Sequence, residues 1–274
     1  MSSRTTIKFA AIGAVAVMGL GLAACSSDDS STTTTTAKGS SGSAKTLVVC
    51  SDIPYAPMEM EATTEKTPSG YTGFDIDLVQ AIADSNKKSL EVKVTPFDGI
   101  FAAMDAGTCD VVASSVSITD DRKKNMDFTE AYFDAEQSIL TTKANASKFT
   151  SMESLKNQTI GVQSGTTGEE YVNANKPSGA TVQAMPGAAD LFAALEAGSI
   201  AAIVQDYPIN AYRAVQDKNF VVTAKIPTDE AYGMAVKKGN TETLSMLDKG
   251  ITAAKSDGTY DKLYEKYFGE KPSN

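Results

Sequence analysis

The sequence predicts an α/β fold with two similar lobes, and three observations support this prediction. The first is an internal repeat at an offset of 91 residues, in which FAAMDAGTCDVVASS at Phe101–Ser115 returns as FAALEAGSIAAIVQD at Phe192–Asp206. The second is the pattern within each copy: an apolar-periodic helix, a glycine suited to its C terminus, and a buried strand. The third is a weaker likeness between two strand–loop segments, Leu47–Tyr55 and Thr159–Thr167. Alternating helices and strands form parallel sheets flanked by helices, although alanine-rich helices could also resemble each other by chance.

The other elements are predicted from local patterns along the chain. We expect strands at Leu47–Cys50, Leu90–Thr95 and Asp110–Ala113, helices at Gly73–Asn86, Asp98–Ala106 and Glu169–Ala174, an extended segment at Tyr132–Thr142, and two amphipathic helices between Thr241 and Phe268. Asp75 and Asp77 fall in the first turn of their helix, where a negative charge suits the helix dipole. The apolar positions of the last two helices need a surface to cover, and we expect that surface to be the first lobe.

The composition excludes several functions. The chain has 274 residues, 34 Asp and Glu against 25 Lys and Arg, no His, and a formal charge of −9. Without histidine it cannot form a Ser-His-Asp or Cys-His catalytic system or a histidine-ligated zinc site. The acidic balance argues against nucleic acid, because binding to a phosphate backbone depends on clustered Lys and Arg. We therefore expect no metal, no other cofactor and no nucleic-acid partner.

The N terminus is predicted to direct export and lipidation. Two basic residues precede an uncharged run at 9–22, which is too short to cross a bilayer as a helix and is typical of a secretory signal. The run ends in LAAC, which resembles a bacterial lipobox, so we expect cleavage after residue 24 and a diacylglycerol on Cys25; an ordinary signal with an incidental cysteine is the alternative. Removing residues 1–24 changes the formal charge from −9 to −11. Residues 26–45, rich in Ser and Thr, are expected to form a flexible tether.

Cys50 and Cys109 are the two remaining cysteines, an even pair in an exported protein. Each adjoins a predicted strand, so a disulfide between them is one expectation. Two buried thiols are the alternative, since neighbouring parallel strands could hold the sulfur atoms too far apart.

Candidate binding residues lie at the C-terminal ends of the predicted strands, where open parallel sheets bind ligands. These ends are Ser51-Asp52 and Ser114-Ser115 in the first lobe, and Gln163-Ser164-Gly165 and Gln205-Asp206 in the second. If the two lobes face each other, all four strand ends line one cleft.

Two charged residues at these strand ends could bind a zwitterion. Arg122 begins a short helix that Thr119 can cap, and its guanidinium can bind a carboxylate through two parallel hydrogen bonds. Asp206 would need a positive partner such as an α-ammonium group. The alternatives are that Arg122 pairs with Asp120 or Asp121 on an exposed turn, and that Asp206 only caps the next helix.

Other side chains near the strand ends could complete a ligand site. Ser117 adds a hydroxyl group, and the segment Ser164–Gly168 offers backbone N–H groups at a helix N terminus, which suits an anion. Tyr55 and Phe97 could sandwich an aliphatic stem, or could equally belong to the core.

Taken together, these motifs resemble the polar amino-acid-binding proteins of ABC importers, solute-binding protein family 3. The resemblance spans residues 47–268 and is carried by LVVCSD at 47–52 with Tyr55, GFDIDL at 73–78, FDGI at 97–100, SSVSITDDRKK at 114–124 with Asp127-Phe128, GVQSGTT at 161–167 and the terminal GTY and YFG. It implies a two-lobe type II periplasmic-binding-protein fold, with a mainly parallel sheet in each lobe and a two-strand hinge. The first lobe would then comprise residues 46–134 and 230–274, and the second residues 135–229.

The resemblance also implies a set of ligand-binding residues. Arg122 would bind the ligand carboxylate with Ser117 and Thr166, while Asp206 and the backbone of Ser115 would bind the ammonium group. The complete set is Asp52, Tyr55, Phe97, Ser114, Ser115, Ser117, Arg122, Gln163, Thr166, Thr167, Gln205 and Asp206.

The charges of this set suggest which side chain the ligand carries. Arg122 and Asp206 would neutralise the two ends of a zwitterion, which leaves Asp52 unpaired in the cleft. A desolvated carboxylate without a partner is costly, so the ligand should bring a cation or a hydrogen-bond donor. Arginine or lysine is the first expectation and glutamine the second, with the uncharged Gln163 and Gln205 also at positions where the family sets selectivity.

The sequence therefore predicts a monomeric, lipid-anchored receptor on the outer face of the cell membrane or in the periplasm. It would bind an L-amino acid and deliver it to the permease subunits of an ABC transporter, and it would not be an enzyme. One alternative is an amino-acid sensor or partner-docking protein. Another is an enzyme of the cyclohexadienyl dehydratase type, which would need a carboxylic acid in the cleft such as Glu59 or Asp52.

Overall fold

The computed structural model describes residues 46–272. The predicted signal peptide, Cys25 and the tether lie outside the described residues. The strands are β1 Thr46–Ser51, β2 Met60–Glu61, β3 Tyr71–Thr72, β4 Ser89–Val94, β5 Val111–Val112, β6 Met126–Phe128, β7 Phe133–Thr142, β8 Thr159–Gln163, β9 Thr181–Met185, β10 Ala202–Asp206, β11 Phe220–Tyr232 and β12 Ala235–Lys237. The helices are α1 Phe74–Ser85, α2 Phe97–Asp105, α3 Asp120–Asn125, α4 Thr167–Asn175, α5 Ala188–Glu196, α6 Tyr207–Gln216, α7 Thr241–Asp257 and α8 Thr259–Phe268. None of the helices in this part of the chain is long and apolar enough to cross a membrane.

Two sheets form the centres of two lobes, which confirms the predicted α/β class. The first sheet has the order β4-β1-β5-β12-β6, and the second has the order β11-β7-β10-β8-β9. The sheets are mixed rather than mainly parallel. β1 runs parallel to β4 and β5, and β8 runs parallel to β9 and β10, but β12 and β7 pair antiparallel with their neighbours. The antiparallel pairs arise because the chain leaves the first lobe through β7 and returns through β11 and β12.

The internal repeat corresponds to equivalent positions in the two sheets. Its first copy runs from α2 into β5, which lies beside β1, and its second copy runs from α5 into β10, which lies beside β8. The two lobes therefore have equivalent strand ends: those of β1 and β5 in the first lobe correspond to those of β8 and β10 in the second.

The two C-terminal helices cover the first lobe, as their apolar positions predict. Leu247 and Ile251 of α7 are buried, and α7 packs against α1 so closely that a side chain at Gly250 would meet Ile82. The ring of Phe74 is fully buried among aromatic rings from α8, the start of β7 and the residue before it, namely Tyr132, Phe133, Tyr260, Tyr264 and Phe268.

Strands β7 and β11 connect the two lobes. They pair antiparallel from Phe220 opposite Thr142 to Tyr232 opposite Phe133, and their register breaks between Ile226 and Glu230. Beyond this break, β11 reaches the first lobe, where Tyr232 forms a bridge with Ser117. Glu230 thus lies on a crossing strand between the lobes.

A disulfide joins Cys50 to Cys109, with the two Cα atoms 5.7 Å apart. It links β1 to the turn before β5, and both residues are buried beside α2. The register of β1 and β5 pairs Cys50 with Val112, and the turn before β5 places Cys109 within bonding distance of Cys50.

Candidate functional site

A small cavity lies where the strand ends of the two lobes meet. It has a volume of about 20 Å³ and is lined by Asp52, Tyr55, Phe97, Ser114, Ser115, Ser117, Arg122, Gln163, Thr166, Thr167 and Asp206. All of these are among the twelve ligand-binding residues predicted from the sequence. A cavity of this size holds about one water molecule, so the lobes must separate before a larger ligand can enter.

Gln205 is the one predicted ligand-binding residue that does not line the cavity. Its side chain is buried, and its Nε2 donates a hydrogen bond to Asn210 Oδ1 of α6 over 2.9 Å. Successive side chains of a strand point to opposite faces of the sheet, and the next residue, Asp206, faces the cavity. The structure therefore places the Gln205 side chain away from the cavity from which it was expected to set ligand selectivity.

Arg122 bridges the two lobes from the start of α3. Thr119 caps this helix by accepting a hydrogen bond from the Arg122 backbone N–H at 3.2 Å. The guanidinium donates through Nη1 to the carbonyl of Ser117 at 2.9 Å and through Nη2 to the carbonyl of Gly165, in the other lobe, at 3.2 Å. It also lies over the ring of Phe97, 5.5 Å from its centroid.

The alternative interpretation of Arg122, a salt bridge on an exposed turn, is not observed. Asp120 pairs with Lys123 and Asp121 pairs with Lys124, and both pairs are exposed. Among residues 46–272, Arg122 forms no ion pair with a carboxylate, so its charge is available to an anion in the cavity.

Asp206 is a buried carboxylate held by three neutral donors. Its Oδ1 accepts from Gln137 Nε2 at 2.6 Å, and its Oδ2 accepts from the hydroxyl groups of Tyr232 at 2.6 Å and Tyr55 at 3.1 Å. Burial, and then the nearby charge of Glu230, raises the pKa of Asp206 to about 6, against the opposing effect of the three hydrogen bonds. Although Asp206 immediately precedes α6, its side chain forms no capping hydrogen bond, so capping does not explain it.

Asp52 is the second carboxylate of the cavity that lacks a cation. It accepts hydrogen bonds from Gln163 Nε2, across the cleft, and from the backbone N–H of Phe97. Burial raises the pKa of Asp52 to about 6 in spite of these bonds. The site therefore disfavours the ionised form of Asp52 until a positive group approaches.

The N terminus of α4 faces the cavity through Thr166 and Thr167. Thr166 caps this helix, because its hydroxyl accepts from the Glu169 backbone N–H at 3.2 Å and donates to the carbonyl of Gln163 at 2.8 Å. Free backbone N–H groups at such a terminus suit a carboxylate. The Thr166 hydroxyl is already engaged in capping, which limits the role expected for it in binding the ligand.

Two residues of the crossing strands, Glu230 and Gln137, belong to the site and were not predicted. Glu230 Oε2 accepts from Ser117 Oγ and Thr167 Oγ1, each at 2.6 Å. Gln137 Nε2 donates to Glu230 Oε1 at 2.9 Å as well as to Asp206. Gln137 is fully buried in β7, but it lies between two other polar residues, Glu136 and Ser138, so no sequence signal distinguishes it.

A buried carboxyl pair supports the cavity wall at Ser115, whose backbone has a left-handed φ of 50°. Asp75 Oδ2 accepts from the Ser115 N–H at 2.8 Å and from the Tyr132 hydroxyl at 2.7 Å, while Glu59 Oε1 accepts from Ser115 Oγ at 2.9 Å. Burial and the charge of Asp75 raise the pKa of Glu59 well above its ordinary value, which favours a protonated Glu59 that can donate to Asp75. Glu59 does not line the cavity, so of the two acids expected for a dehydratase only Asp52 does.

Comparison with known proteins defines the class to which this fold and site belong. Residues 47–270 match the family of bacterial extracellular solute-binding proteins, family 3, and the chain belongs to that family.

Two relatives and one solved structure are named as amino-acid-binding proteins. The chain is 32% identical over 241 residues to a probable histidine-binding protein of Neisseria gonorrhoeae, which covers 85% of this chain and 86% of the relative. It is 32% identical over 252 residues to the ABC transporter glutamine-binding protein GlnH of Bacillus subtilis, with 86% and 91% covered. Among solved structures, an ancestral arginine-binding protein bound to arginine superposes with a TM-score of 0.77 at 36% identity, covering 82% of this chain and 99% of that one.

Proposed function

We propose that this protein is the extracytoplasmic receptor of an ABC transporter for a polar L-amino acid, held at the membrane by a lipid on Cys25. The observation that supports this most directly is the placement of Arg122 and Asp206 in one cavity between two lobes. The cation can bind an α-carboxylate through two hydrogen bonds, and the anion can bind an α-ammonium. The function of the relatives is consistent with this assignment.

Asp52 favours a ligand with a cationic side chain, arginine or lysine. Asp52, Asp206 and Glu230 surround the site, whereas Arg122 is its one lining cation among the described residues. The two charges of a zwitterion would balance those of Arg122 and Asp206, but Asp52 would still have only neutral hydrogen-bond donors. A guanidinium or ammonium group on the ligand side chain would remove this desolvation penalty. Glutamine would offer a hydrogen bond without a charge and is the second candidate.

Calorimetry of the purified protein with the L-amino acids tests this assignment. We expect arginine or lysine to bind, and Arg122→Ala to weaken binding at least ~100-fold, because two charge-assisted hydrogen bonds of roughly 1.5–3 kcal/mol each are lost. Lys123→Ala removes an exposed cation from the same helix and should leave affinity unchanged. A protein that binds none of the amino acids, or an Arg122→Ala variant that binds as well as the wild type, would contradict the proposal.

Amino-acid uptake distinguishes a transport receptor from a sensor. Cells that lack this protein should lose high-affinity uptake of the ligand, and the wild-type gene should restore it. Uptake that does not depend on the protein would favour the sensor.

A further inference from the structure

Glu230 has an unusual set of hydrogen-bond partners. Four donors converge on its carboxylate: Ser117 Oγ and Thr167 Oγ1 on Oε2, and Thr228 Oγ1 and Gln137 Nε2 on Oε1. All four contacts lie between 2.6 and 2.9 Å. Two of the donors, Ser117 and Thr167, come from opposite lobes and line the cavity, whereas Glu230 does not. Glu230 therefore lies behind the two hydroxyl groups, on the side of the crossing strands.

The number of hydroxyl protons fixes what these two residues present to a ligand. A serine or threonine hydroxyl has one proton to donate and two lone pairs to accept with. Ser117 and Thr167 both donate their single proton to Glu230, and their oxygen atoms lie 3.4 Å apart. Towards the cavity they can only accept hydrogen bonds. They are then unsuited to a ligand carboxylate, which is the partner that the sequence predicts for Ser117.

Asp206 provides a third acceptor beside these two. Its carboxylate has about four acceptor sites, of which Gln137, Tyr232 and Tyr55 use three. Gln137 Nε2 bridges Asp206 and Glu230 and so fixes the two carboxylates relative to each other. A primary ammonium group has three N–H donors, which matches three acceptors from Asp206, Ser117 and Thr167.

We infer that Glu230 is a positioning residue for the α-ammonium group of the ligand, because it draws two hydroxyl protons away from the cavity and turns Ser117 and Thr167 into acceptors. This inference rests on the proposed function, and it adds a specificity determinant on the hinge side of the site. An amide at position 230 could not do the same. If its single oxygen accepted both hydroxyl protons, as Oε2 does now, its NH2 group would face the Nε2 donor of Gln137. In the other orientation its N–H groups would face Ser117 and Thr167, whose hydroxyl protons would turn towards the cavity.

The test compares two ligands that differ only in the α-amino group. These are L-arginine and 5-guanidinopentanoic acid, or L-lysine and 6-aminohexanoic acid if lysine is the ligand. In Glu230→Gln we expect the amino acid to bind about tenfold more weakly or worse, and the analogue to change less than about twofold. The dissociation constant of the analogue divided by that of the amino acid should therefore fall about tenfold relative to the wild type. Equal weakening of both ligands, which a purely structural role predicts, would overturn the inference.

Two sets of variants keep this result interpretable. Asp229→Asn removes the neighbouring carboxylate, and asparagine tolerates the left-handed φ of 49° at this position, so both ligands should bind as to the wild type. Ser117→Ala and Thr167→Val each remove one acceptor and should weaken the amino acid more than its analogue, even if Glu230→Gln does not fold. A preserved ratio in both of these variants would also overturn the inference. A wild type that binds no amino acid would overturn the proposed function as well, whereas normal binding with an unchanged ratio in Glu230→Gln overturns only the role of Glu230.

Discussion

Replacing Asp52 by asparagine should change binding and stability in opposite directions. Burial raises the pKa of Asp52 from 3.8 to about 6. Each pKa unit is worth about 1.4 kcal/mol, so this structure disfavours the ionised carboxylate by about 3 kcal/mol at neutral pH. The asparagine side chain would carry no charge and could still accept the hydrogen bond from Gln163. The variant without ligand should therefore be up to ~3 kcal/mol more stable than the wild type at a pH of about 7.5.

A cationic ligand would lose its partner in the same variant. If the ligand cation relieves a penalty of about 3 kcal/mol, arginine should bind roughly 100-fold more weakly to Asp52→Asn. The dissociation constant for glutamine, which needs only a hydrogen bond at this position, should change by no more than a few-fold. Calorimetry at the same pH measures both ligands, and urea unfolding measures the free energy of the unliganded protein.

Asp105→Asn is the matched control, because it removes an exposed carboxylate from α2 in the same lobe. We expect it to change the free energy of unfolding by less than about 0.5 kcal/mol and to leave both affinities unchanged. The reasoning is refuted if Asp52→Asn weakens arginine and glutamine by the same factor, or if it destabilises the unliganded protein.

Three further predictions concern pH, the disulfide and the buried carboxyl pair. Between the pKa of Asp52 in the unfolded chain, 3.8, and its folded value of about 6, the folded protein binds more protons, so this group lowers the free energy of unfolding as the pH rises. The stability advantage of Asp52→Asn should accordingly grow from about pH 4 to about pH 6 and level off above about pH 7 in urea titrations; an advantage that is constant with pH would contradict this. Replacing Cys50 and Cys109 by serine should lower the free energy of unfolding by about 4 kcal/mol, since the bond closes a loop with a sequence separation of 59; an unchanged urea midpoint would be the contrary result. Glu59→Gln keeps a donor for Asp75 and an acceptor for Ser115 and should stay within about 1 kcal/mol of the wild type, whereas Glu59→Ala should cost about 2–4 kcal/mol in thermal or urea unfolding. Equal losses in the two variants would argue against a protonated Glu59.

The sequence predicts the fold and most of the cavity because their signals are local. The internal repeat identifies two α/β lobes, and a strand followed by polar residues identifies Asp52 and Asp206. Arg122 is recognised because a capped turn follows a strand end. The repeat is found by comparing two 15-residue segments, and each of the other inferences depends on fewer than about ten consecutive residues, the length over which capping preferences and short apolar patterns act.

The residues that sequence analysis missed depend on contacts between distant segments. Glu230 is 113 residues from Ser117 and 93 from Gln137, and only the register of the crossing strands brings them together. Gln205 illustrates a similar limit, because neighbouring side chains of a strand point to opposite faces of the sheet, and the structure places Asp206 rather than Gln205 at the cavity. The mixed character of the sheets was also missed, since it depends on where the chain re-enters the first lobe.

The disulfide has a topological consequence for proteolysis. It encloses residues 51–108, which include Asp52, Tyr55 and Phe97 of the cavity wall. Within this loop, the segment between β2 and β3 is largely exposed at residues 62–69, and exposed loop tips are the preferred sites of proteolytic cleavage. A cut there would leave two fragments joined through Cys50 and Cys109, with β1 still paired between β4 and β5. The nicked protein would keep its cavity wall, migrate as one band without reductant and separate into two only after reduction.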